Sequence, residues 1–216
     1  MPEIARGSSE RGELVLRRRD DDGALELRVN GVFVMDDVET SSEELLASAA
    51  LASVRRPERV LVGGLGLGYT VRALLADPRL GQVVVAEIEP ELASWMRSGL
   101  VPSVLDDPRV GVVVGDVRDV VAEAQDASLD AILLDVDNGP DFLVYNENSV
   151  IYASPFVTTC RSKLRAGGVL TVWSSSESAA LQEVVASVFG ACDVTPVPVR
   201  LQGRAEAYYV YQGCRQ

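Results

Sequence analysis

No histidine occurs anywhere in the 216 residues. Proton transfer near neutral pH therefore falls to carboxylates, tyrosines, thiols, water or the single lysine, Lys163. Ser-His-Asp and Cys-His hydrolysis within one chain is excluded. Cysteine is scarce: Cys160, Cys192 and Cys214 are odd in number and show no paired spacing. That argues against a disulfide framework and a zinc site, and reads as reduced cytoplasmic thiols. No apolar run approaches the roughly 20 residues that span a bilayer, so no transmembrane helix is expected. The N-terminus, with Glu3, Arg6, Glu10 and Arg11, lacks the apolar segment of a secretory signal. Residues 1–12 are expected to be a disordered lead. Basic residues are outnumbered, with 20 Lys and Arg against 32 Asp and Glu, for a formal net charge of −12. Such a surface repels phosphate backbones, so neither nucleic acid nor an anionic membrane is an expected partner. Cations are attracted instead.

What the chain does contain is punctuated strand and helix. Glu13–Arg18, Ala24–Val29 and Val32–Met35 read as short strands. Asn30-Gly31 between two of them is the signal of a two-residue hairpin turn, because both central residues need positive φ. These strands form a small N-terminal β element over residues 13–40. Ser41-x-x-Glu44 is a capping box that opens a helix.

From Arg59 the pattern alternates. Strands are expected at Val60–Val62, Val83–Ala86, Val110–Val114, Ala131–Leu134 and Val169–Trp173, all short and apolar as strands covered on both faces must be. Helices are expected at Tyr69–Ala76, Pro90–Ser98, Val117–Gln125, Pro155–Leu164 and Ser178–Phe189. Gly167-Gly168 looks like a helix stop. Val194–Val199 and Ala207–Tyr211 close the chain as an antiparallel hairpin. The fold class is α/β: a mostly parallel twisted sheet with helices on both faces, over one domain at residues 41–216.

Four strand ends carry the chemistry. Gly64, Gly66 and Gly68 follow the first parallel strand as G-x-G-x-G, a turn that lets a ligand approach backbone and helix N-terminus. The dinucleotide fingerprint needs a glycine where Tyr69 stands, which tilts the ligand from NAD toward an S-adenosyl nucleoside. A tight turn with no ligand is the bland alternative. Glu87 ends the second strand, where a carboxylate can accept from vicinal ribose hydroxyls. Asp116 ends the third, as an acceptor for an adenine amine, as a helix N-cap, or as both. Asp135, Asp137 and Asn138 end the fourth, at the edge where open α/β sheets gather catalytic groups. Without histidine, Asp135 and Asp137 are the candidates to bind and deprotonate an amine nucleophile. An Asx-type turn before Pro140 is the competing reading.

In this order the segments resemble the spermidine synthase family, the polyamine aminopropyltransferases, within the class I S-adenosylmethionine-dependent methyltransferase superfamily. The likeness runs from about Leu27 to Trp173 and includes Val62-Gly63-Gly64, Val85-Ala86-Glu87-Ile88-Glu89, Val114-Gly115-Asp116, Leu134-Asp135, Gly139-Pro140, Ile151-Tyr152 and Leu164–Leu170. The resemblance implies a Rossmann-like fold and S-adenosylmethionine or its decarboxylated form as co-substrate, with no metal. It implies that Gly64, Gly66 and Gly68 line the nucleoside loop, that Glu87 holds the ribose, and that Asp116 and Val117 face the adenine. Asp135 matches the catalytic base, Asn138 and Tyr152 are assigned to substrate, and the N-terminal β element is expected to make a homodimer.

Departures fall on the acceptor side. Leu67 stands where the family carries an aspartate for the donor's aminopropyl amine. The family's Tyr-His-Glu signature is replaced by the Thr40–Glu44 region, and Asp135 and Asp137 lie one residue closer than the family's pair. The pattern is that of a divergent, spermidine synthase-like branch, and it argues against spermidine synthesis itself. The expected function is transfer of an aminopropyl or methyl group to a small acceptor, with a cationic amine as its expected class. A non-catalytic nucleoside-binding or assembly module is the alternative, and an NAD-dependent oxidoreductase the remainder.

Overall fold

The computed structural model describes residues 2–201 and 204–216. An antiparallel meander comes first: β1 (Glu3–Ser9), β2 (Gly12–Arg18), β3 (Leu25–Val29) and β4 (Val32–Asp36), side by side in that order. After α1 (Ser41–Ser53) the chain alternates. It runs β5 (Arg59–Gly63), α2 (Tyr69–Leu75), β6 (Gln82–Glu87), α3 (Pro90–Arg97), β7 (Val110–Val114) and α4 (Val117–Glu123). It continues β8 (Leu129–Leu134), α5 (Ser154–Lys163), β9 (Leu164–Ser174), α6 (Ala179–Phe189), β10 (Asp193–Leu201) and β11 (Arg204–Cys214).

The seven strands from β5 onward form one sheet in the order β10-β11-β9-β8-β5-β6-β7. β7, β6, β5, β8 and β9 pair in parallel, and β11 and β10 add an antiparallel edge. From β5 the chain builds outward to β6 and β7, then returns to place β8 and β9 on β5's other side. A crevice opens where strand order reverses, beyond the carboxyl ends of β5 and β8.

The apolar runs alternate between two cores. Val60, Val62, Val83, Val85, Ala131 and Leu133 face one side, while Leu61, Ala86, Ile132, Leu134 and Leu170 face the other. The first core also contains Leu14, Leu16, Leu25, Leu27 and Val29 of the meander. The small sheet thus shares one continuous core with the large one.

Asn30 (φ 52°) and Gly31 (φ 79°) make the expected hairpin turn between Val29 and Val32. Three local expectations are corrected. Residues 3–9, read as part of a disordered lead, form β1 along β2. Their sequence has no apolar alternation, so the ladder holds them, and a side chain at Gly7 would lie 2.4 Å from Glu91 Cγ of α3. The Ser41 capping box does not form: Thr40 is the N-cap, without a side-chain cap bond, and the Ser41 hydroxyl turns back to Glu39. Gly167-Gly168 does not stop α5. Leu164 is already extended and paired with Leu129, and the glycines lie where the register shifts before Val169.

Candidate active site

A cleft of about 980 Å³, counting the space open to solvent at its mouth, fills the crevice. Its floor is the carboxyl edge of β5, β6 and β8, and Leu14, Leu27, Val34 and Met35 of the meander form its roof.

The glycine turn is shaped by close backbone approach. Gly64 (φ 92°) donates its amide to Ala86 O, and a Cβ there would lie 2.1 Å from Asp135 O. β5 and β8 therefore touch backbone to backbone at the switch point, which only glycine permits. Gly66 sits under Met35, whose Sδ accepts the Leu67 amide at 3.2 Å and would lie 2.6 Å from an added Cβ. Both glycines line the cleft. Gly68 does not: it is the left-handed N-cap of α2 and faces Met96 and Val104. Leu67, 2% exposed, is part of the core.

Glu87, 5% exposed, holds the turn from below. One carboxylate oxygen accepts the Leu65 amide at 2.7 Å and the other the Glu89 amide at 2.7 Å. Burial raises its pKa against the pull of those two donors. Glu89, 3% exposed, accepts from Ser9 Oγ at 3.2 Å and from the Tyr145 hydroxyl at 3.1 Å. The Arg11 guanidinium lies 5.6 Å from the centre of the Tyr145 ring. The β1–β2 turn and the loop after β8 thus meet on one carboxylate. Asp116 caps α4 through the Arg118 amide at 2.8 Å and pairs with the Arg118 guanidinium at 2.6 Å. Burial alone would raise its pKa, but Arg118 outweighs it and the group lies below its ordinary value. Asp116 and Val117 both line the cleft.

At the opposite end stands Asp135. It accepts a 2.5 Å hydrogen bond from Thr70 Oγ1 in the first turn of α2. It also lines the cleft, and burial raises its pKa to about 6 against the pull of the Thr70 hydrogen bond. Glu43 of α1, 7% exposed, lines the same cleft. Burial first, and then the charge of Asp135, lift its pKa to about 7.

The neighbouring assignments separate. Asp137 lines the cleft in a left-handed conformation (φ 64°), but its carboxylate organises the loop. It accepts from the amides of Asn138 (2.9 Å), Val144 (2.5 Å) and Tyr145 (3.3 Å), and from Asn148 Nδ2 (3.0 Å). Asn138 and Tyr152, expected to contact substrate, lie outside the lining. Asn138 Nδ2 donates to Phe33 O at 3.3 Å, and the Tyr152 hydroxyl donates to Val136 O at 2.5 Å from within the core. A buried hydroxyl needs a partner, and the strand end supplies one.

The sequence reading missed Glu43, Glu89, Tyr145, Met35 and Trp173, all of them in the lining. One signal was available for Glu43: it falls on the buried stripe of α1 with Leu46, Ala47 and Ala50. Among the described residues the lining carries six carboxylates (Glu43, Glu87, Glu89, Asp116, Asp135, Asp137) and no lysine or arginine. Among the described residues no three His, Cys, Asp or Glu side chains converge as metal ligands.

These features define a Rossmann-like α/β fold with an acidic cleft at its switch point. Residues 39–192 match the family model of the spermine/spermidine synthase domain, most of the chain's length, and the chain belongs to that family. A polyamine aminopropyltransferase of Mycobacterium tuberculosis is 32% identical over 180 residues, covering 81% of this chain and 33% of that protein. Putrescine N-methyltransferase 4 of Nicotiana tabacum is 28% identical over 159 residues, covering 72% of this chain and 38% of its own. The chain thus spans less than two fifths of either relative. A spermidine synthase in complex with the transition state analogue AdoDATO has the same fold, with TM-score 0.86 at 18% identity over 99% of this chain and 74% of that one. Human methyltransferase-like protein 13 in complex with SAH follows with TM-score 0.64 at 20% identity over 81% of this chain and 82% of that one.

Proposed function

We propose that this chain transfers an alkyl group from an S-adenosyl sulfonium nucleoside to a small amine, with Asp135 as the base. The observation that carries the reading is Asp135 itself. A carboxylate raised to about 6 by burial is poised to take a proton near neutral pH. It lies beside the glycine turn, its backbone against Gly64 and its carboxylate bonded to Thr70 just after the turn. Family membership and relatives named for aminopropyl and methyl transfer to amines support it.

Gly64 and Gly66 let the nucleoside lie on backbone, Glu87 accepts from its ribose hydroxyls, and Asp116 with Val117 meets the base. The chemistry is in-line: amine nitrogen bonds to the carbon on sulfur, the carbon–sulfur bond breaks, and a thioether nucleoside leaves. Positioning supplies most of the rate. Asp137 acts by ordering the loop that closes on this end.

The donor is an aminopropyl sulfonium, decarboxylated S-adenosylmethionine. The strand-end carboxylates Glu87, Glu89, Asp116, Asp135 and Asp137, with no Lys or Arg among the described residues of the lining, suit a cationic tail and an ammonium acceptor. A tail carboxylate would meet no cation. Methyl transfer from S-adenosylmethionine is the second reading, favoured by Leu67 in place of the family's amine-binding aspartate. Calorimetric titration with both donors and with methylthioadenosine, followed by mass spectrometry of an amine panel, separates them. Binding of none at millimolar concentration refutes the transferase reading, and binding without product makes the chain a nucleoside-binding module. No described helix is long and apolar enough to cross a membrane. We assign the protein to the cytoplasm, a reading supported by three free cysteines. We expect a homodimer through the meander, which exposes Val32 and is followed by exposed Val38; a monomer by light scattering refutes it.

A further inference from the structure

The proposed reaction leaves one proton to be removed. An ammonium acceptor gives a proton to Asp135, its nitrogen bonds to the donor carbon, and the carbon–sulfur electron pair stays on sulfur. The products are a secondary ammonium, a neutral thioether nucleoside and a protonated Asp135. A second turnover requires that proton to reach solvent.

Few neighbours can receive it. Thr70 already donates its hydroxyl to Asp135 and is 3% exposed. Asp137 is occupied by three amides and Asn148. Glu43 remains. It is the one ionisable side chain common to the main cleft and to a smaller cleft of about 270 Å³ beside it. Val34, Met35 and Trp173 are shared as well, and Phe33, Asp36, Glu39 and Tyr208 complete the smaller space.

We propose that Glu43 relays the proton from Asp135 into the smaller cleft between turnovers, an inference that rests on the transferase reading. Glu43 is a positioning residue here, because it acts through the base and not on the reacting atoms. Its surroundings fit a group that changes charge. Ser42 Oγ donates to it at 2.6 Å. Asp135 from β8 and Glu39 from the segment before α1 both repel its charged form. Asp36 is neutralised by Arg19 at 2.8 Å, and Tyr69 of α2 and Tyr208 of β11 lie within its field. Burial raises both carboxylates, Glu43 the further of the two, so a proton on Asp135 passes downhill to Glu43.

The test compares wild type, Glu43→Gln and Glu43→Asp under single and multiple turnover. In Glu43→Gln we expect donor affinity within about twofold of wild type and a first turnover near the wild-type rate. Steady-state kcat falls by about tenfold or more, within the usual range for one proton-transfer group. Small weak acids such as acetate restore kcat in proportion to concentration, and Glu43→Asp, which keeps a carboxylate, is far less impaired. A Glu43→Gln variant with wild-type kcat and no buffer dependence overturns the relay. So does a parallel loss of donor affinity and first-turnover rate, the mark of a binding or packing role. If Glu43→Gln does not fold, Glu43→Asp decides: its kcat must depend on buffer more than that of wild type. Wild-type protein inactive on every amine overturns the transferase reading, and the relay with it.

Discussion

Alanine at Asp137 tests whether the second carboxylate of the strand end anchors the loop or serves as a base. Its carboxylate accepts four hydrogen bonds, three of them from the amides of Asn138, Val144 and Tyr145. Bonds to a charged acceptor are worth about 1.5–3 kcal/mol each when their donors end up buried and unpaired. The loop is only half-buried, so water replaces most of that and leaves about 2–3 kcal/mol. Alanine at φ 64° adds about 1 kcal/mol of left-handed strain. Opening of the 138–148 loop should therefore become easier by about 3–4 kcal/mol, more than a hundredfold in protection. Hydrogen exchange at Asn138, Val144 and Tyr145 measures this, against unchanged protection in β5 and β8. Asp137→Asn, which keeps one acceptor oxygen and tolerates the left-handed region, should cost about 1 kcal/mol. In both variants the acid limb of kcat/KM near pH 6 should persist, because it belongs to Asp135. Unchanged protection at the three amides, together with loss of that limb, would refute the anchor and restore Asp137 as a base.

Other substitutions probe the remaining groups. Asp135→Asn should retain donor affinity and abolish turnover, and in the wild type kcat/KM should rise with pH through about 6 as Asp135 ionises. The same variant has a stability signature: the folded pKa lies above the unfolded value, so wild-type stability falls as pH rises from about 4 through 6. Asp135→Asn should thus melt higher than wild type at pH 8 and alike at pH 4; the reverse order would place the carboxylate in a stabilising pair. Glu87→Gln turns an amide nitrogen toward either the Leu65 or the Glu89 N–H. Nucleoside affinity should fall about 10–100-fold by calorimetry, with Asp135 chemistry intact, and unchanged affinity would remove Glu87 from the ribose. Gly64→Ala brings a methyl group to 2.1 Å from Asp135 O, and loss of at least about 3 kcal/mol in urea unfolding is expected.

The half of the site that was legible in the sequence is the half made of short-range geometry. Gly64, Glu87 and Asp116 each stand at or within two residues of a strand's carboxyl end, and an open parallel sheet brings such positions to one edge. The strand–helix alternation was equally plain, because strands buried on both faces read as continuous apolar runs. What could not be read depends on contacts between distant segments. Ser9 and Tyr145 meet on Glu89, Phe33 meets Asn138, and Glu43 faces the end of β8. Tyr152 was assigned to substrate on the family resemblance, where no local pattern shows which way its side chain points. Its hydroxyl satisfies Val136 O instead. β1 escaped notice because its residues show no apolar alternation and its strand state comes from the ladder with β2.

Met35 joins the two halves. It hangs from β4 into the roof, and its Sδ accepts the Leu67 amide within the glycine turn. A shift of the roof is thereby felt by the donor loop, and a shift of that loop by the roof. The same short stretch, Phe33 to Glu43, supplies every acidic group of the smaller cleft and the neighbour of the base. Remodelling this stretch can change the acceptor while Gly64, Glu87 and Asp116 stay fixed by backbone contacts. The sequence departs from the spermidine synthase pattern at Thr40–Glu44 and keeps to it along the nucleoside strand ends, which is the distribution such a division of labour produces. Leu67 fits the same logic: its side chain is buried in the core, and its backbone amide ties the loop to the roof through Met35.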